Sequence, residues 1–284
     1  MYLKHFVLVV SVVCISCIGI STAFAGSSPV FSEYVTGGSF DHTWIPLVGD
    51  GLLTPANSDS AYPAGQVFPN PSGDGWVLKI QPIATGAGTE GGVSGDEAWT
   101  NMLVSAQMFV NVSTAKRHDT MFGGRMAITA PAWGSGGRGG YFTQDPWGLT
   151  PPPPCWGIRD NYGSPQPTIG QTYPSNDWHQ IVLVFTATNV DLYVDMTYAQ
   201  VVAALNLGTP SPLLSWPSVV NANGGVGFYV CYRDSDASIA TGEPGYIDDI
   251  EVYLPPYTIP TIPTPTPTPT PEVMAVNGTW TIYE

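Results

Sequence analysis

Across residues 26–257 no helical period lasts three turns, and Gly and Pro punctuate the chain throughout. Short runs rich in β-branched and aromatic residues recur between those turn signals, at 76–80, 102–110, 121–128, 155–159, 179–186, 190–196, 226–233 and 246–253. Strands at this spacing, without alternating helices, predict an antiparallel sandwich. Residues 198–207 alone read as a helix, and equally well as strand plus loop. The run Ile181 to Phe185 is apolar on both faces and suits a central strand. Leu192, Val194 and Met196 alternate with Asp191, Tyr193 and Asp195, as a half-buried strand requires.

The ends of the chain differ from this middle. Lys4 and His5 precede an apolar run from Phe6 that closes on Ala23-Phe24-Ala25, the pattern of a secretory signal peptide over residues 1–25. The run is too short and wrongly flanked for a spanning helix. Acylation of Cys17 is the weaker alternative, because Cys14 stands where Leu or Val is usual. Residues 26–257 form one domain, long enough for a large core. Residues 258–271 are almost entirely Thr and Pro, an extended spacer. In the tail, 272–284, two β-prone runs flank Asn277-Gly278 and spell a hairpin, a unit marginal on its own in water.

The formal net charge of −14 becomes one unit more negative once Lys4 leaves with the leader. A polyanion of this kind does not bind nucleic acid or anionic lipid by charge. Two cysteines survive cleavage, Cys155 and Cys231. In an exported protein such a pair is expected to form one disulfide, closing a loop of about 75 residues for roughly 4 kcal/mol on the chain-entropy model. Two buried thiols are the alternative.

The last strand-like run, Gly245 to Tyr253, carries Asp248, Asp249 and Glu251. Strict period two sets Asp248 on one face with Ile250 and Val252, and Asp249 and Glu251 on the other with Ile247 and Tyr253. Either way a carboxylate turns toward packed interior and needs a cation, an Arg or backbone N–H donors.

Three stretches together carry a resemblance. Asp177-Trp178-His179-Gln180-Ile181-Val182-Leu183-Val184-Phe185, answered by Val190-Asp191-Leu192-Tyr193-Val194-Asp195, resembles the central hairpin of laminin-G-like domains. Val226 to Val230 and Tyr246 to Tyr253 resemble their closing strands, and Gly73 to Ile80 an early strand. Residues 30–254 are thereby similar to the concanavalin A-like lectin/glucanase superfamily, which implies an all-β, two-sheet antiparallel jelly roll. That fold hosts lectins, adhesion modules, hydrolases and lyases. The resemblance also implies a structural calcium ion on the acidic closing strand, with Asp248 or Asp249 as carboxylate ligands and Glu33 or Asp41 from the neighbouring first strand. Hydrogen bonds from loop amides to Asp248 are the alternative.

Glycoside hydrolysis in this superfamily uses Glu-x-Asp-x-Glu on one strand, with the two working carboxyls about 5 Å apart; no such motif is present. His118, His179, Arg125 and Arg159 are available for lyase chemistry but read better as surface or structural residues. No Gly-x-Ser-x-Gly elbow or zinc spacing occurs. The segment from Trp133 to Trp178 is the candidate binding surface. Trp133, Tyr141 and Trp147 stand among Gly and Pro with Arg159, Asn161 and Tyr162. Rings match the C–H faces of sugars, and the polar groups match their hydroxyls; a small aromatic core of the loops is the competing explanation.

The expectation is therefore a secreted or cell-surface, non-catalytic protein that recognises extracellular glycan. The alternative from another class is a self-assembling extracellular subunit, with residues 272–284 adding a strand to a neighbour. A polysaccharide lyase or hydrolase is a third and weaker reading.

Overall fold

The computed structural model describes residues 27–46, 52–57, 75–81, 88–110, 118–128, 138–143, 155–159, 168–170, 177–217, 223–232 and 245–257. These residues belong to one unit, Ser27–Ile259, and build two antiparallel sheets. The first contains β1 (Phe31–Glu33), β3 (Leu52–Asn57), β4 (Trp76–Gln81), β6 (Met102–Val110), β11 (Asp177–Phe185), β12 (Asn189–Val194), β13 (Leu214–Pro217) and β15 (Gly245–Tyr253). Its order is β13-β12-β11-β6-β15-β4-β3, with β1 beside the second half of β15. The second sheet contains β2 (Ile45–Pro46), β5 (Gly88–Ser94), β7 (His118–Met126), β8 (Arg138–Thr143), β9 (Cys155–Arg159), β10 (Thr168–Gly170) and β14 (Gly225–Tyr232), ordered β10-β9-β8-β7-β14-β5-β2. The chain crosses between sheets repeatedly, as in a jelly roll.

Side chains from both sheets meet in one core. Leu78, Val104, Met108, Ile181, Leu183 and Val252 come from the first sheet, and Phe122, Trp156, Ile158 and Phe228 from the second. Gly124 lies against the facing sheet, and a Cβ there would stand 2.6 Å from the Met102 Cε and 2.9 Å from a Phe185 ring carbon, so a larger residue makes those side chains shift.

The outer face of the first sheet is covered by the helix α1 (Tyr198–Asn206). Thr197 caps it: the Gln200 backbone N–H donates to the Thr197 hydroxyl while the Gln200 side chain accepts from the Thr197 backbone. Val201 and Val202 bury against Leu103, Val182, Val184 and Tyr193. This explains why β11 is apolar on both faces: one lies in the sandwich and the other under the helix. It also corrects the two-faced reading of β12, because Tyr193 is buried beneath α1 and the strand ends at Val194, before Asp195 and Met196.

Two strands bulge. Arg125 on β7 (φ 56°) and Asp249 on β15 (φ 50°) adopt left-handed backbone, and the pairing register shifts beside each. Arg125 is buried. Its guanidinium donates to the Thr100 carbonyl at 3.1 Å and the Thr186 carbonyl at 2.6 Å, and lies over the Phe185 ring. Those contacts offset the strain and tie β7 to the loops on the facing sheet.

Candidate functional site

The bulge at Asp249 decides where the closing-strand acids point. It breaks period two, so Ile247, Ile250 and Val252 all enter the core, while Asp248, Glu251 and Tyr253 share the outer face. Asp248 is therefore not on the Ile250 face, although it is only 1% exposed. It stands opposite Gln107, and Gln107 opposite Gln180. The Gln107 amide donates to the Gln180 Oε1 at 2.7 Å, and the Gln180 amide donates to the Ser105 hydroxyl at 2.8 Å. A polar band thus crosses three central strands on this face.

Glu33 points the other way. It pairs with Ile250 across β1 and β15, and its side chain is fully buried. Its carboxylate accepts from the backbone N–H of Asp41 at 2.8 Å, His42 at 3.1 Å and Val35 at 3.3 Å, and from the Trp44 indole at 3.0 Å. The loop after β1 is wound around this one charge. Glu33 and Asp41 are brought together, while Glu33 and Asp248 lie on opposite faces of the sheet. Among the described residues, no three His, Cys, Asp or Glu group closely enough to hold a metal.

On the outer face, Glu251 gathers tyrosines. The Tyr34 hydroxyl donates to its Oε1 and the Tyr253 hydroxyl to its Oε2, each at 2.6 Å. Tyr198, the first residue of α1, stacks on Tyr253 at 3.8 Å with the rings 20° apart. Burial first, and then the Glu251 hydrogen bond and charge, push the Tyr34 and Tyr253 hydroxyls well above the usual tyrosine range. Both remain neutral donors at any physiological pH. Sequence reasoning missed this cluster, because its members lie at the two ends of the domain and only the β1–β15 pairing unites them.

The aromatic segment falls on β8, β9 and β10, at one side of the second sheet. Register separates its members. Phe228, Phe122, Gly140 and Ile158 lie in one row that enters the core. The adjacent row, Tyr229, Met121, Tyr141 and Gly157, belongs to the opposite face, as does the row Gly227, Gly123, Gly139 and Arg159. Tyr141 and Arg159 therefore occupy neighbouring rows on the face away from the core. Trp156 does not join them, being fully buried against His179 at 5.6 Å between ring centres. His179 itself is held by Asp195, whose Oδ1 is 2.9 Å from its Nδ1. Trp133, Trp147, Asn161 and Tyr162 lie outside the described residues.

The centre of that outer face is apolar. Val93, Met121, Met126 and Tyr229 form a small buried cluster, and the Met126 side chain fills the space above Gly227. Asp119 is the single acidic position on this face among the described strands. Hydrolysis by paired carboxylates needs two on one face, about 5 Å apart. The strand with more than one carboxylate is β15, where Asp248 and Glu251 share the outer face and Glu251 accepts from two phenols.

The two residues of the expected disulfide stand in the second sheet, Cys155 on β9 and Cys231 on β14.

No protein-family model matches the sequence, and no curated protein does. Solved structures do resemble the fold. One is a Bacillus subtilis protein of unknown function with a galectin-like fold, at 11% identity over 81% of this chain and 97% of that one, with a TM-score of 0.50. Others are a β-1,3-glucanase from Mycobacterium marinum, at 12% identity over 79% and 98% with a TM-score of 0.43, and an immunostimulatory antigen and pseudo β-1,3-glucanase of Mycobacterium tuberculosis, at 12% over 80% and 98% with a TM-score of 0.42. The likeness is one of fold, a two-sheet antiparallel β sandwich of galectin-like form.

Proposed function

We propose that this chain is an exported, non-catalytic glycan-binding protein. The fold is one that carbohydrate-binding proteins use, and fold alone does not assign a ligand. The observation that carries the reading is the register of β8 and β9. It sets the Tyr141 and Arg159 positions in adjacent rows of the outer face, beside the glycines at 123, 139 and 157. An aromatic ring, a guanidinium and side-chain-free backbone are what a neutral sugar needs: a C–H-facing plane, hydroxyl partners and close approach. The covered apolar centre directs ligand contact to the β8–β10 side. Trp133, Trp147, Asn161 and Tyr162, expected in the same surface from the sequence, lie outside the described residues.

The non-catalytic part of the reading rests on the sequence, which has no Glu-x-Asp-x-Glu motif. Screening the secreted chain against immobilised polysaccharides, with Tyr141→Ala and Arg159→Ala in parallel, tests it. Binding weakened tenfold or more by both substitutions is the expected result. Equal retention of all three proteins, or release of reducing sugar by the wild type, would overturn it.

A further inference from the structure

We propose that Glu251 and its surrounding tyrosines form a second binding site, on the outer face of the first sheet, for a primary ammonium group. This does not rest on the glycan reading, since the two surfaces lie on opposite faces of the sandwich.

Glu251 is a half-buried carboxylate whose partners are two phenols. Phenols are neutral donors, so its charge is solvated but not cancelled, and neither salt bridge among the described residues involves it. A second carboxylate stands beside the same tyrosine, Asp41, which accepts from the Tyr34 backbone N–H at 3.3 Å. Negative charge therefore accumulates around one tyrosine, in a chain already carrying −14. A cation placed there relieves that repulsion.

The donor count selects the cation. Each carboxylate oxygen has about two lone-pair sites, and each accepts one phenol, so one site per oxygen remains. The phenol oxygens, having donated their hydrogens, can still accept. A primary ammonium brings three donors on a compact charge and meets several of these oxygens at once. A quaternary ammonium brings none and leaves them unmet. The stacked pair Tyr198 and Tyr253 adds aromatic surface that favours a cation further.

The ammonium could come from an amino sugar or from a lysine side chain. Titration of the full chain and of Glu251→Gln with a fully deacetylated glucosamine tetramer, its N-acetylated counterpart, tetralysine and tetramethylammonium separates these. The wild type should bind the glucosamine tetramer at least tenfold more tightly than the N-acetylated one, and E251Q should abolish the difference. If tetralysine alone shows dependence on Glu251, the ammonium chemistry stands and the source is protein. Failure of both primary ammonium probes to bind, equal affinity in wild type and E251Q, or tetramethylammonium binding as tightly as either, would overturn the proposal. NMR shifts of the Tyr34 and Glu251 amides in the wild type keep the test decisive if E251Q does not fold: perturbation there supports the site, and perturbation confined elsewhere refutes it.

Discussion

Glu33 holds its loop by charge. Four N–H groups converge on one buried carboxylate, and Phe31 beside it packs against His42, Trp44 and Trp99. Removing the acceptor leaves buried donors unmet, each worth about 1–3 kcal/mol. Glu33→Ala should therefore cost about 3 kcal/mol or more in a urea titration, and Glu33→Gln less. A loss under 1 kcal/mol would mean the loop has other supports. The tyrosines make a different prediction. The Tyr34, Tyr253 and Tyr257 hydroxyls are raised above the ordinary value of 10, in each case chiefly by burial, and Tyr193 is pushed up to about 12. A raised folded value means the neutral form is favoured in the fold. That contribution is complete below pH 10 and is lost as pH climbs past 10 toward the folded values. The urea midpoint should fall steeply above pH 10, and Tyr253→Phe should flatten the fall; an unchanged slope in that variant would contradict the burial of its hydroxyl. The carboxylate-rich closing strand was visible in the sequence, but the partners of Glu33 and Glu251 were not, since neither a loop wound around a charge nor a contact 217 residues apart leaves a local pattern.

At the scale of elements, strands with a dense apolar pattern were legible. β6 and β9 have the bounds that residue pattern predicts, and α1 forms where the one helical reading stood. β5 and β8 escaped it because glycines supply no β-propensity: Gly88–Ser94 reads GTEGGVS and Arg138–Thr143 reads RGGYFT. Their place in the sheet comes from neighbours, which is a tertiary effect. The bulge at Asp249 was equally hidden, and it inverts the face of every residue before it. Deleting Asp249 restores period two and leaves both halves of β15 opposite their present partners on β6, because Asp248 and Glu251 face Gln107 and Ser105, between which β6 has one residue where β15 has two. The variant should keep a cooperative unfolding transition; loss of that transition would show that the bulge itself holds the strand in place. Gly124→Ala probes the sheet-to-sheet contact from the other side. Its Cβ collides with Met102 and Phe185, so a cost of about 1–3 kcal/mol is expected from overpacking, measured as a shift of the urea midpoint with unchanged slope.

For the whole molecule, the two outer faces have separate characters. One is the polar band and tyrosine cluster beside α1; the other is an apolar centre with the aromatic-rich strands at its side. Edge strands β2, β3 and β13 contain Pro46, Pro55 and Pro217, and proline cannot donate to an added strand. That composition disfavours strand addition at those edges. Residues 272–284, the proposed added strand, lie outside the described residues. The sandwich class was readable from strand spacing, but the faces of the aromatic segment were not, because register sends alternate positions of β8 and β9 to the core and to the outer face. The most direct measurement is affinity of the chain for the polysaccharide it retains best, compared with Tyr141→Ala and with Arg159→Ala. Glycan recognition on the β8–β10 side predicts at least a tenfold loss in both, with the melting temperature unchanged. Undiminished affinity in two folded variants would contradict it.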